Sequence, residues 1–320
     1  MQSAYHIPVL LREVIDALNI RPDGVYVDCT FGGGGHSNAI LEKLGPTGRL
    51  IAFDQDEDAR KNLPHDNRLL FVPENFRHVQ RFLRLHKIQE VDGLLADLGV
   101  SSHQLDCGER GFSTRYDAAL DMRMDRRASL TAWQIVETYS EQALHKLFEQ
   151  FGEVTNAKTL ARTIVQVRQS QSLRTIEGFK QSVHEAVKGN PNKYWAQVFQ
   201  AIRIVVNEEM EVLNDFLAQL PDVIKPGGRA VIITFHSIED RMVKNAFKVG
   251  PDEENLKEII LNPGDKLDVY PGTIHRAEAL KDSEILEVST NDLDDVVKLD
   301  DDYGRSGKGN DFELDAKLAT

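Results

Sequence analysis

The sequence predicts an α/β fold: an open parallel sheet with helices on both faces, interrupted by an all-helical insertion. Three observations carry this. Short β-rich runs alternate with helix-compatible stretches over the first hundred residues. From about Gln104 to Val206 the alternation stops, and apolar residues recur only at three- and four-residue spacing. One further β-rich run, Arg229–Phe235, then follows.

In chain order, Val25–Cys29 and Arg49–Asp54 are the first two strands, each followed by helix-compatible sequence. Leu69–Val72 and Val91–Leu98 are buried-strand candidates, and Arg229–Phe235 is a fifth, entered through the turn Pro226-Gly227-Gly228. Within the insertion, Ser129 and Ser140 are expected N-caps. Asn156–Gln169, Thr175–Lys188 and Tyr194–Leu220 read as helices; in the last, Val198, Ile202, Val205, Met210 and Leu213 share one broad face. Pro221 and Pro226 are expected to bracket the return to the sheet. Ser283–Thr290 is expected to add a final strand. The expected organisation is a discontinuous sheet domain over 1–104 and 206–290, a helical insertion over 105–205, and an acidic, disordered tail over 291–320.

The 320-residue length suits about two domains, or one with an insertion. With 41% hydrophobic and 28% charged residues, the composition excludes a wholly disordered chain. No apolar run reaches the roughly 18–20 residues of a membrane helix, and the first residues carry no secretory pattern. Cys29 and Cys107 are the only cysteines, which excludes a disulfide scaffold and a cysteine-rich zinc site and fits a reducing, cytoplasmic setting. No metal-ligand spacing stands out. The net charge of −13 argues against nucleic acid when taken whole, yet Leu105–Val205 carries net +3 and Lys281–Thr320 carries −7. The middle of the chain is mildly basic, and the acidity lies elsewhere.

Asp28-Cys29-Thr30-Phe31-Gly32-Gly33-Gly34-Gly35-His36 follows the first strand and opens a helix. Four successive glycines let a ligand approach the backbone, and N–H groups at the helix start bind a carboxylate or phosphate. The spacing fits neither the dinucleotide fingerprint nor a P-loop, so a dehydrogenase and a phosphoryl transferase lose support. Asp54 ends the second strand about 20 residues on, where a carboxylate accepts from ribose hydroxyls. Together they suit a nucleoside without a pyrophosphate, with S-adenosylmethionine the leading candidate. Asp97, in Asp97-Leu98-Gly99-Val100-Ser101-Ser102, sits at the carboxyl edge of the fourth strand, beside that ligand; Gln104 follows with a donor and an acceptor. His236, in Thr234-Phe235-His236-Ser237-Ile238-Glu239-Asp240-Arg241, is expected to be exposed at the same edge as a second catalytic candidate. Ser237 and Asp240 match a helix capping box.

Several motifs recur together: His6-Ile7-Pro8-Val9-Leu10-Leu11, Asp28–His36, Asp97–Ser102, Glu109-Arg110-Gly111-Phe112-Ser113, Leu120-Asp121-Met122-Arg123-Met124-Asp125, Phe199-Gln200-Ala201-Ile202-Arg203-Ile204 and Phe235–Arg241. In this order they resemble the small-subunit ribosomal RNA cytosine-N4 methyltransferase family, from about His6 to Lys248. The resemblance implies a Rossmann-like class I methyltransferase sheet with an inserted helical domain, S-adenosylmethionine as cofactor, and a cofactor site lined by Gly34, Gly35, His36, Asp54, Phe76, Asp97 and Gln104. It implies small-subunit ribosomal RNA, or the small ribosomal subunit, as partner, with neither a membrane nor DNA. The family closes on a basic Asn-Pro-Arg-x-Arg-Ser-x-Lys-Leu-Arg stretch, where this chain reads Ala279-Leu280-Lys281-Asp282-Ser283-Glu284-Ile285-Leu286-Glu287-Val288. The resemblance therefore does not extend through that segment.

For RNA, Phe112, Tyr116 and Trp195 are stacking candidates, with core packing as the alternative. Arg110, Arg115, Arg123, Arg126 and Arg127 suit phosphate contacts, with pairing to Glu109, Asp117, Asp121 and Asp125 as the alternative. A methyltransferase for another RNA or protein acceptor, and a non-catalytic RNA-binding assembly factor on the same scaffold, are the competing function classes.

Overall fold

The computed structural model describes residues 8–247 and two dipeptide strands, 297–298 and 307–308. The expected strand Ser283–Thr290 and most of the acidic tail lie outside the described residues. The chain divides into two units, Met1–Asp265 and Lys266–Thr320. In the second, β6 (Val297–Lys298) pairs antiparallel with β7 (Gly307–Lys308).

The first unit opens with α1 (Leu11–Leu18), which buries Val14 and Leu18 on the sheet. Then come β1 (Val25–Asp28), α2 (Gly35–Lys43), β2 (Arg49–Phe53), β3 (Leu69–Val72), α3 (Val79–Leu85) and β4 (Val91–Asp97). With β5 (Ile224–Ile233) they form a five-stranded, wholly parallel sheet of order β3-β2-β1-β4-β5. Strand order reverses between β1 and β4, which opens the crevice at which such sheets bind ligands. Near-continuous apolar runs such as Leu94-Leu95-Ala96, all fully buried, follow from helices covering both faces.

At the amino ends of the strands, Asp92 accepts from the Val25 N–H at 2.8 Å and pairs with Lys225 and Arg21, tying β4 to β1 and β5. The fifth strand starts earlier than the sequence suggests. Ile224 pairs with Val91, but Arg229 pairs with Gly93, so Pro226-Gly227-Gly228 forms a bulge inside β5 rather than a turn before it. Gly227, at φ 78°, supplies the left-handed backbone the bulge needs. Pro221 also fails to bound anything: it lies within α10 (Glu209–Val223), near the end of that helix.

The insertion contains α4 (Ser102–Asp106), α5 (Ala132–Thr138), α6 (Glu141–Gly152), α7 (Ala157–Val167), α8 (Ile176–Ser182) and α9 (Pro191–Val206). Apolar side chains from Phe112 to Val206, among them Phe148, Ile164, Phe179, Val198 and Ile202, make one core of their own. α10 instead contributes Leu213, Phe216 and Leu220 to the sheet core. The stretch expected as one helix over Tyr194–Leu220 is therefore two, broken where Glu208 takes φ 50°. Ser140 caps α6 through the Ala143 N–H as expected. The cap of α5 is Thr131 rather than Ser129: its Oγ1 accepts from the Gln134 N–H at 3.3 Å while Gln134 Oε1 accepts from the Thr131 N–H at 2.7 Å. Among the described residues no helix is long and apolar enough to cross a membrane.

Candidate functional site

The carboxyl ends of β1, β2 and β4 converge on the glycine-rich turn. After β1 the chain bends so that Gly34 takes φ 76° as the N-cap of α2, and a Cβ there would lie 2.9 Å from the Phe31 ring. Gly35 lies so close to Pro8 that a Cβ would meet its ring at 2.3 Å. Both positions require glycine, one for its backbone and one for the close approach. The Gly32 N–H donates to Asp54 Oδ2 at 2.7 Å, and Asn62 Nδ2 donates to the Gly32 carbonyl at 3.0 Å. Asp54 Oδ1 accepts from the Asp56 N–H at 2.8 Å. Burial raises the Asp54 pKa to about 6, against the lowering effect of those two backbone N–H groups.

Asp28 closes β1. Burial raises its pKa, although its carboxylate accepts from Ser37 Oγ at 2.7 Å and the Thr30 N–H at 3.0 Å. Thr30 Oγ1 in turn accepts from the Asp97 N–H at 2.8 Å, which fixes the end of β4 against the turn. His36, 6% exposed, brings Nε2 to 3.5 Å from Asp97 Oδ2. Neither ring nitrogen of His36 nor Asp97 Oδ1 has a hydrogen-bond partner. Buried polar groups are ordinarily paired. Three orphaned atoms on two adjacent side chains, at a strand-order reversal, mark a place built for a polar ligand. The donor set fits S-adenosylmethionine: backbone N–H groups of the turn for its carboxylate, and carboxylates for its amino group and ribose hydroxyls.

Gln104 is the third helical residue of α4. Its Oε1 accepts from the Ser101 N–H at 3.1 Å and its Nε2 donates to Asp56 Oδ2 at 2.8 Å, so both ends of the amide are engaged within the protein. Phe76 is half-buried, with its ring edge-on to Phe216 at 5.1 Å between centroids. Its neighbour Asn75 donates to Gln55 Oε1 at 2.9 Å, which ties the loop after β3 to the residue following Asp54. Glycine turn, Asp54, Phe76, Asp97 and Gln104 thus belong to one connected edge.

His236 differs from expectation. It is not exposed at the edge: its side chain is 8% exposed, with Nε2 3.1 Å from Glu239 Oε1 and Nδ1 accepting from the Glu239 N–H at 3.4 Å. The expected Ser237–Asp240 box is replaced. Glu239 reaches back to the Phe235 N–H at 3.0 Å, while Ser237 donates to Glu153 and Asp240 pairs with Lys244. This ordering starts α11 (Ser237–Phe247). Burial pushes the Glu239 carboxyl up, but His236, the Phe235 N–H and Arg203 outweigh it and hold it below the usual value.

Glu209, His236 and Glu239 bring three ligand-type atoms within 4.8 Å of one another, a cluster that sequence spacing does not reveal. Arg203 already grips Glu209 through two bonds of 2.8 and 2.9 Å, so a cation is present in the form of a guanidinium.

Of the arginine run only Arg110 is buried; Arg123 is half-buried, and Arg115, Arg126 and Arg127 are exposed. Arg110 is 3% exposed; its guanidinium donates to Asp56 and Asp58 and to the carbonyls of Arg123 and Met124. Arg123 pairs with Asp121, and Arg127 with Asp125 and Glu74. Arg115 reaches Asp106, and Arg126 is exposed. The short Asp-x-Arg spacing, which lets each carboxylate meet its own arginine, is the signal for this pairing. Phe112 and Trp195 are buried in the insertion core, whereas Tyr116 is exposed. Asp56 and Arg110, at the junction of sheet and insertion, were not distinguishable in the acidic run Asp54–Asp58 and the basic run. A concavity of about 420 Å³ lined by Arg49, Lys87 and Lys225 opens at the opposite, amino-terminal edge, away from the groups described above.

Residues 3–264 match the MraW methylase family. The chain is 55% identical over 250 residues to "Ribosomal RNA small subunit methyltransferase H" of Bacteroides thetaiotaomicron, covering 78% of this chain and 82% of that protein. It is 53% identical over 247 residues to the protein of the same name from Flavobacterium johnsoniae, covering 77% and 82%. Among solved structures, an rRNA methylase from Streptococcus thermophilus is 17% identical, covering 37% of this chain and 72% of that one at a TM-score of 0.24, a likeness too low to bear on function.

Proposed function

The chain belongs to the MraW methylase family, and on that premise we propose that it methylates the exocyclic N4 of a cytosine in small-subunit ribosomal RNA, using S-adenosylmethionine. The observation that carries this reading is the pairing of His36 with Asp97 at the strand-order reversal, with their orphaned polar atoms beside a glycine turn.

Gly34, Gly35 and His36 hold the amino-acid end of the cofactor, Asp54 accepts from its ribose, and Phe76 offers a half-buried ring for its base. Gln104 acts through Asp56, which it holds in place below Asp54. When bound, S-adenosylmethionine supplies an electrophilic methyl group. The chain's own contribution is orientation and electrostatics. The exocyclic nitrogen of cytosine is a weak nucleophile because its lone pair is delocalised into the ring. The Asp97 carboxylate, part of whose side chain stays accessible, accepts a hydrogen bond from that amine and favours the positive charge that builds on nitrogen. His36 Nε2 stands 3.5 Å from one oxygen of that carboxylate, Oδ2. His236 supports the edge by fixing Glu239 rather than by reaching the substrate. The target base must leave its stack to reach this site. The enzyme works in the cytoplasm, on small-subunit RNA that is naked or assembling, and not on DNA.

The test is nucleoside mass spectrometry of small-subunit particles incubated with the protein and isotopically labelled cofactor. The expected product is labelled N4-methylated cytidine. Label in another nucleoside, or in protein alone, overturns the reading.

A further inference from the structure

Phe235 is 57% exposed, one of few large apolar side chains left in solvent among the described residues. It lies just beyond β5, whose Ile233 carbonyl accepts from the Leu98 N–H at 3.0 Å, so it stands beside the loop that carries Asp97. That loop makes room for it. Gly99, at φ 91°, has no Cβ; the Phe235 ring lies at ordinary contact, 3.5 Å, from where one would be. One flank of the ring therefore rests on the backbone two residues past Asp97, and the rest is open to solvent.

The position of the ring is built, not incidental. The Phe235 N–H donates to Glu239 Oε2 at 3.0 Å, and the Glu239 side chain is 3% exposed. Both nitrogens of His236 face Glu239. The Glu239 network accounts for the start of α11 but not for the Phe235 side chain being left in water. Apolar exposure costs hydration, and an aromatic ring in solvent earns nothing for the fold.

We propose that Phe235 is the platform on which the acceptor cytosine stacks when it leaves the RNA. An aromatic face near a carboxylate is what a flipped pyrimidine needs: the ring takes the base's π-face, and the carboxylate takes the amine at its edge. The buried cluster Arg203, Glu209, His236 and Glu239 then serves to fix the platform. A metal ion is not needed to explain it. Arg203 already supplies the positive charge at Glu209.

This proposal rests on the functional reading above, and one experiment separates the two. Methyl transfer to unmethylated small-subunit particles is measured for the native protein, Phe235→Ala, Phe235→Leu and Phe235→Trp, with S-adenosylmethionine affinity by calorimetry and thermal stability alongside. Stacking predicts that Phe235→Ala lowers kcat/KM for particles by about tenfold to a hundredfold. Phe235→Trp stays near native, Phe235→Leu falls between, and cofactor affinity and stability hold in all three. Native protein that labels no cytosine overturns the functional reading and the platform with it. Active native protein with Phe235→Ala at the native kcat/KM overturns the platform alone. So does a Phe235→Ala loss that is matched by lost cofactor affinity, or that Trp does not rescue.

Discussion

Two carboxylates at this edge do different work because their surroundings differ. Asp97 keeps one oxygen without any internal partner, so the substrate role proposed for it takes no hydrogen bond from the fold at that atom. Asp97→Ala is expected to abolish methyl transfer while thermal stability stays within about 1 kcal/mol of native; turnover by this variant at the native rate would exclude the role. Asp54 is instead committed to the fold through Gly32 and Asp56, and burial places its pKa at about 6. That value has two consequences of opposite sign. Because the folded pKa lies above the ordinary 3.8, this group's contribution to stability is full below that pH and is lost as pH rises through 6. In the ribose-binding role proposed for it Asp54 acts ionised, with the lone pairs to accept both hydroxyls, so cofactor affinity is expected to follow the reverse trend. The dissociation constant is expected to be flat above about pH 7 and to rise roughly tenfold per unit below pH 6. Calorimetric titrations from pH 8 to pH 5 check this. A native profile without that rise would remove Asp54 from the ribose site, whereas Asp54→Asn should bind weakly at every pH.

At the level of elements, the junction between sheet and insertion depends on Arg110. Its guanidinium bonds Asp56 and Asp58 on the sheet side and the carbonyls of Arg123 and Met124 on the other. Asn207, just past α9, holds the same loop through the Met124 N–H at 2.8 Å and the Met122 carbonyl at 2.9 Å. Both ends of the insertion thus meet on one loop. Arg110→Met leaves the buried Asp56 carboxylate with only the Gln104 amide and the Asp58 N–H as partners, and removing one partner of a buried pair costs about 3–5 kcal/mol. Urea denaturation with an unchanged slope should show it; a loss under about 1 kcal/mol would mean that Asp56 is solvated by other means. This junction was hidden in the sequence for a physical reason. An arginine reads as a phosphate contact when its carboxylate partners, Asp56 and Asp58, lie more than fifty positions away. The shorter pairs, Asp121 with Arg123 and Asp125 with Arg127, could be read from their spacing. His236 misleads in the same way: chain position placed it at the sheet edge, but Glu239, three residues on, draws it inward. The strands themselves were legible, because a buried parallel strand is a continuous apolar run and helical spacing is visibly different. The bulge at Pro226–Gly228 was not, since the same residues form a turn when no strand lies beside them.

Across the described residues of the first unit, the hydrophobic interior is divided rather than shared. Phe148 and its neighbours pack among the inserted helices, while Phe216 packs with the sheet and carries the edge of Phe76. A division of this kind separates stability from chemistry in a way that mutation can expose. Phe148→Ala and Phe216→Ala each remove a fully buried ring, and each should cost about 3–5 kcal/mol. Their functional effects should differ. Loss of Phe216 takes the support from Phe76 and should weaken S-adenosylmethionine binding severalfold at temperatures where the protein remains folded. Loss of Phe148 should leave cofactor affinity near native and lower kcat/KM for ribosomal particles, because the damage is confined to the inserted helices, whose net charge of +3 suits them to RNA. Hydrogen exchange would locate each change, with protection lost in α5–α9 for one variant and around the sheet for the other. If Phe148→Ala instead lowered protection in the strands and cofactor affinity together, the two cores would act as one cooperative unit, and the insertion would have to be understood as part of the catalytic domain itself.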